Sequence, residues 1–157
     1  MILYHASPVI VDRPDVRHSR RDVDFGPGFY MTSFPEQAQN WCRRLVLRSG
    51  QAYINRYILD ETALTTFKVL RFDSYSEAWL DFVLVCRSGR DDTDYDIVTG
   101  GVANDRVFNT VELYLSGLID RDAAIGRLRY EKPNDQICIR SQAVLDGYLR
   151  FTGGERQ

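Results

Sequence analysis

The chain has 157 residues, 44% of them hydrophobic and 27% charged, so one compact domain with a sufficient core of its own is expected, without disulfides or a structural metal. Its formal net charge of −2 excludes a global electrostatic pull toward nucleic acid or an anionic membrane, so any such contact has to be local. Cys42, Cys86 and Cys138 are odd in number, widely spaced and set in apolar stretches, which argues against a disulfide framework or a zinc site and for buried, reduced thiols.

In chain order, Ile2-Leu3-Tyr4-His5 reads as a buried strand ending on a polar residue. A charged loop follows, and Asp24-Phe25-Gly26-Pro27-Gly28 carries the strongest turn chemistry of the chain before a short strand, Phe29-Tyr30-Met31-Thr32. Ser33 and Glu36 form the pattern of a capping box. Ala38, Trp41, Cys42 and Leu45 then recur at helical spacing until Gly50. Strands are expected from Tyr53 to Leu59 and from Phe67 to Phe72. Ser74 and Glu77 repeat the capping box ahead of an amphipathic helix through Cys86. Tyr95-Asp96-Ile97-Val98 reads as a strand, and Asn104 as the cap of a helix bearing Val107, Val111, Leu115 and Leu118. Asp120 reads as the cap of another through Leu128. Gln136-Ile137-Cys138-Ile139 is a strand, Ser141 to Leu149 a short helix, and the tail from Thr152 is expected to fray. The expected organisation is one domain over residues 1–151 with a flexible tail over 152–157. Without regular βαβ alternation, the fold class expected is α+β or an irregular α/β domain.

Chemistry has few places to go. The two histidines, His5 and His18, and the spacing of the acidic residues leave no metal-ligand pattern, and no nucleophile elbow or phosphate-binding loop of the common kinds occurs. Gly26-Pro27-Gly28 precedes a strand rather than opening a helix, which disfavours a Rossmann dinucleotide site. Arg13, Arg17, Arg20 and Arg21 crowd the first loop, either as a solvated surface or as forks for a phosphate. No stretch reaches about 18 apolar residues and the N-terminus lacks a signal-peptide pattern, so a cytoplasmic protein without membrane contact is expected.

Three features remain: Leu3-Tyr4-His5-Ala6-Ser7, the segment from Asp24 to Thr32, and Asn134-Asp135-Gln136-Ile137-Cys138-Ile139. Together they resemble the three motifs of the ADP-ribosyltransferase superfamily, in its diphtheria-toxin-like and PARP branch, with the signature His-Tyr-Glu standing here as His-Tyr-Gln. The chain is also similar to a group of short stand-alone bacterial domains of this type, which share the Asp-Phe-Gly-x-Gly-Phe-Tyr segment, a Tyr-Asp-Ile-Val strand and a late Gln-Ile-Cys strand.

The resemblance implies an ADP-ribosyltransferase-like fold, a split, mixed or antiparallel sheet flanked by helices, with NAD as substrate and no metal. It implies that His5 bonds the adenosine-side ribose, that the Ala6 backbone and the Ser7 hydroxyl hold the nicotinamide end, and that Tyr30 stacks on the nicotinamide ring. Gly28 joins this NAD-binding set. Trp41, eleven residues after Tyr30, stands where the family places a second stacking aromatic, although core burial predicts the same orientation. His5, Tyr30 and Gln136 would be the catalytic set. Gln136 departs from the family's Glu. It accepts a hydrogen bond from the ribose 2′-hydroxyl but brings no charge, so single transfer rather than polymer formation is expected, with slow turnover or loss of catalysis left open; Asp135 and Asp96 are the carboxylates considered as compensation. The function implied is mono-ADP-ribosylation of a macromolecular acceptor, protein or nucleic acid, by a toxin-like domain paired with an antitoxin protein. The alternatives are an NAD glycohydrolase and a non-catalytic NAD-binding or ligand-binding module that retains the fold.

Overall fold

The computed structural model describes residues 1–20, 23–103, 105–128 and 134–157. Among them are seven strands and six α-helices: β1 (Ile2–Ser7), β2 (Phe29–Met31), α1 (Pro35–Ser49), β3 (Tyr53–Leu59), α2 (Ala63–Thr66), β4 (Val69–Arg71), α3 (Glu77–Arg87), β5 (Ile97–Gly100), α4 (Asp105–Leu115), α5 (Arg121–Leu128), β6 (Gln136–Ile139), α6 (Gln142–Tyr148) and β7 (Leu149–Arg156). The strands form two sheets, β1-β3-β7 and β2-β6-β5-β4. All pairs are antiparallel except β4 with β5. A bridge between Tyr4 and Thr32 joins β1 of the first sheet to the end of β2 in the second. The fold is α+β, with two sheets.

The period of two along the strands of the second sheet divides the core. Phe29, Met31, Ile97, Ile137 and Ile139 point toward Leu3, Tyr57 and Leu59 of the first sheet and Val144 and Leu145 of α6. Their neighbours Val98 and Cys138 turn the other way, into a second cluster with Phe25, Trp79, Val83, Val107, Val111 and Leu128. Because β6 is covered on both faces, all four of its residues are buried, and its sequence is a continuous apolar run after Gln136.

Several local expectations hold and several shift. Helix α1 closes at Gly50, whose φ of 75° gives the left-handed turn and whose N–H reaches Val46. Its start is different: Phe34 is the N-cap, with no side-chain cap bond, because the Ser33 hydroxyl is drawn to Asp135 across the chain. Helix α3 begins two residues later than the Ser74 pattern suggests, with Ser76 as the cap accepting from Trp79 N at 3.2 Å. The ring of Tyr75, packed edge-on against Trp79 at 4.9 Å, holds the preceding segment outside the helix.

Helix α2, which lacks a capping pattern, is not among the expected elements, and β4 is correspondingly short. The strand expected over 95–98 runs from Ile97 to Gly100. Helix α4 stops at Leu115, Gly117 turns at φ 70°, and Leu118 is 72% exposed rather than part of an apolar helix face. Asn104, expected as its cap, lies outside the described residues, whereas Asp120 does receive the Ala123 N–H at 2.8 Å.

The tail corrects the expectation most. Residues 152–156 belong to β7, which pairs with β3 along its length, and Gln157 N reaches Ala52 O at 2.9 Å. A run of Thr-Gly-Gly-Glu-Arg has no apolar signal, but its backbone groups complete a ladder, and Phe151 anchors the strand edge-on against Tyr57 at 5.6 Å. His5, likewise, does not end the first strand, which continues to Ser7. Cys42, Cys86 and Cys138 are buried and free. No described helix is long and apolar enough to cross a membrane.

Candidate functional site

The turn from Asp24 to Gly28 receives the side chains of Tyr30 and Gln136. Gly26 takes φ 69°, and the Tyr30 hydroxyl closes the turn by donating to Gly26 O at 2.6 Å while accepting from Phe25 N at 3.0 Å. Burial is the main cause that pushes the Tyr30 phenol far above its ordinary pKa, so it stays a donor. Gly28 is required by packing: a Cβ there would collide with Cys138 Sγ and stand 2.8 Å from the Ile139 carbonyl oxygen. Burial also pushes the Cys138 thiol up to about 12, which keeps it neutral beside that turn.

His5 joins this turn through the main chain. Its Nδ1 lies 2.7 Å from Tyr30 O, and since a carbonyl only accepts, Nδ1 carries the proton and Nε2 the lone pair. The ring packs at 4.4 Å against Phe29, whose side chain belongs to the first core cluster. Burial lowers its pKa, against the raising effect of the Tyr30 bond. Among the described residues Nε2 has no hydrogen-bond partner.

Gln136 opens β6 and is 5% exposed. Its Nε2 donates to Asp24 Oδ2 at 3.0 Å and to Gly101 O at 3.2 Å, and Oε1 has no partner among the described residues. Asp24 is itself saturated: Arg87 donates from Nε and Nη2 to Oδ1 at 2.9 and 2.6 Å, and Ala103 N donates to Oδ2 at 3.0 Å. Gln136 also lines a cleft of about 1080 Å³, together with Ser33, Phe34, Tyr75, Asn134 and Asp135.

The other expected residues are placed as follows. The Ser7 hydroxyl is turned inward, donating to Val9 O and accepting from Asn55 Nδ2 at 2.9 Å, so its proton is committed and only acceptor capacity remains for a ligand. Ala6 is half-buried in β1 opposite Ile54. Trp41 is half-buried on α1, the helix packed against β1, and belongs to neither core cluster. Tyr30 and Gln136 are thus tied to one turn and His5 to the backbone of Tyr30, while of the expected NAD-contacting residues the cleft takes Gln136, with Asp135 beside it.

Among the described residues, neither carboxylate considered as compensation for the missing Glu accepts from the Gln136 amide, whose partners are Asp24 and Gly101. Asp135 accepts from Thr32 Oγ1, Ser33 N and Ser33 Oγ, at the start of α1. Asp96 accepts from Lys68 N at 3.0 Å at the opposite end of β5 from the Gln136 partner, Gly100. Of the loop arginines, Arg17 is paired with Asp15 at 2.7 Å, Arg13 and Arg20 are exposed, and Arg21 lies outside the described residues. Among the described residues no group of three or more His, Cys, Asp or Glu side chains could hold a metal ion.

A family model described as "Protein of unknown function (DUF3990)" matches residues 1–151. The chain belongs to the DUF3990 family. No curated protein matches it.

In this DUF3990 chain two side chains that shape the site are not legible as such in the sequence. Asp24 reads there only as turn chemistry; the signal for more is a carboxylate next to Phe-Gly-Pro-Gly, but its partner Gln136 lies 112 residues on. Asn55, fully buried in β3, looks like an ordinary strand residue. It pins the loop after β1 by accepting from Val11 N at 2.8 Å and donating to Ser7 Oγ, and Gln142 holds the same loop further on, accepting from Val16 N at 3.1 Å.

Proposed function

We propose that this chain, as an ADP-ribosyltransferase-like domain, binds NAD, breaks the bond between nicotinamide and ribose, and passes ADP-ribose to one macromolecular acceptor. The observation that carries the reading is the state of Gln136: a buried amide on the wall of a cleft, held by its nitrogen, with its oxygen left as an acceptor. A ribose hydroxyl is the kind of donor such an oxygen takes. His5 supports the reading in the same way, since its protonated Nδ1 is used on Tyr30 and Nε2 remains as an acceptor for a second sugar hydroxyl.

The roles divide accordingly. Gln136 Oε1 and His5 Nε2 orient the sugars, the Tyr30 ring, fixed at its hydroxyl, and the half-buried Trp41 flank the nicotinamide, and the Ala6 backbone holds its amide. Ser7, its proton held by Val9 O, helps at the nicotinamide end only as an acceptor. With neutral groups at these positions, catalysis comes from orientation and exclusion of water, and a single transfer follows rather than chain growth. A toxin held in check by an antitoxin protein fits a domain of this kind.

The test incubates purified protein with labelled NAD and cell lysate, then treats the products separately with protease and nuclease. Label in a macromolecule, lost in Tyr30→Ala and Gln136→Ala proteins, supports the reading. Free ADP-ribose alone assigns a glycohydrolase instead, and NAD binding without nicotinamide release assigns a binding module. Retention of label by both variants overturns the site.

A further inference from the structure

Asp24 Oδ2 and Gly101 O only accept hydrogen bonds, so together they hold the Gln136 amide in one orientation, nitrogen inward. The Gly101 carbonyl would do part of this at no cost in charge. Asp24 instead brings a carboxylate into the protein, 12% exposed, with Arg87 at 16% beside it, and buried ion pairs are rarely worth their desolvation as stability alone. Arg87 engages only Oδ1, which leaves Oδ2 directed at Gln136 and Ala103 N. A carboxylate accepting from an amide N–H also polarises that amide, moving electron density onto its oxygen.

We infer that Asp24 is a positioning residue that supplies, through the Gln136 amide, the negative charge a glutamate at position 136 would carry itself, so that residues 24 and 136 form one acid–amide pair with the amide oxygen toward the ligand. The inference rests on the proposed NAD reaction. It accounts for the glutamine: a glutamate here would set two carboxylates about as close as the present 3.0 Å contact, where like charges oppose one another.

The experiment compares wild type, Asp24→Asn, Gln136→Glu and the double variant for nicotinamide release from NAD, with thermal melting of each. Gln136→Glu is expected to lower kcat by about 10- to 100-fold, as misplacement of a reacting geometry does. Asp24→Asn is expected to lower kcat with little change in the KM for NAD. The double variant, in which the amide introduced at position 24 donates to the carboxylate introduced at position 136, is expected to recover at least about tenfold over Gln136→Glu. A purely structural Asp24 would instead lower the melting temperature and leave kcat per folded molecule unchanged, which overturns the inference.

So does a Gln136→Glu protein as active as wild type, or a folded double variant no better than Gln136→Glu; in both cases the NAD reading stands. If Asp24→Asn melts below the assay temperature, Gln136→Glu, which keeps the pair of Asp24 with Arg87, decides by the same criterion. Wild-type protein that neither binds nor cleaves NAD overturns the NAD reading and the inference together.

Discussion

The imidazole of His5 donates from Nδ1 to the main-chain oxygen of Tyr30 at 2.7 Å, which ties the first strand to the strand that follows the glycine turn. Burial holds the folded pKa of this imidazole below its ordinary value of 6.5. The folded state therefore favours the neutral ring, so the stability His5 contributes is complete above that value and is lost as pH falls through the depressed folded one. The melting-temperature gap between wild type and His5→Asn is expected to shrink between about pH 7.5 and about pH 5.5. Equal slopes for the two proteins would show that His5 is not buried as a neutral ring.

Gly28 and Gly126 make a contrasting pair. A methyl group at Gly28 meets Cys138 Sγ and the Ile139 backbone, so Gly28→Ala should cost about 3 kcal/mol or more, and Cys138→Ala should relieve it only in part because the carbonyl remains. Gly126 sits in α5 with nothing within 4 Å of the place a methyl group would take, so Gly126→Ala should gain about 0.5 to 1 kcal/mol. Chemical denaturation reads both changes. A tolerated Gly28→Ala would mean that β2 and β6 lie too far apart for this contact.

Asn55→Ala removes the acceptor of Val11 N and leaves Ser7 without a donor in a fully buried position. A loss of about 2 to 3 kcal/mol is expected, with faster hydrogen exchange at the Val11 amide than at amides of β6. Unchanged exchange at Val11 would count against the pinned loop.

At the start of α1, Asp135 accepts three hydrogen bonds, two from Ser33 and one from Thr32. Asp135→Ala should cost about 2 kcal/mol, Ser33→Ala about 1, and Glu36→Ala almost nothing, because no capping box forms. Urea melts of the three variants settle the order. A Glu36→Ala loss equal to that of Ser33→Ala would restore the local cap.

What the sequence alone determined was whatever is written within a turn of helix or a few residues of strand. The 3.6-residue recurrence of Ala38, Cys42 and Leu45, the αL stop at Gly50, the apolar run of β6 and the β-branched and aromatic content of β3 are such local signals, and each names its element. The segments carrying His5, Tyr30 and Gln136 could be singled out in the sequence, and the described fold links Tyr30 and Gln136 to one turn and His5 to the backbone of Tyr30.

The tertiary structure decided the partners. Ser33 chose Asp135, 102 residues away, over Glu36; Gln136 chose Asp24, 112 residues back; and the polar tail became β7 because β3 offered it an open edge. Hydrogen bonds between side chains carry no periodicity, and a backbone ladder needs no particular side chain. Which donor meets which acceptor is therefore set by the packing that brings strands together, and that packing depends on the whole chain at once.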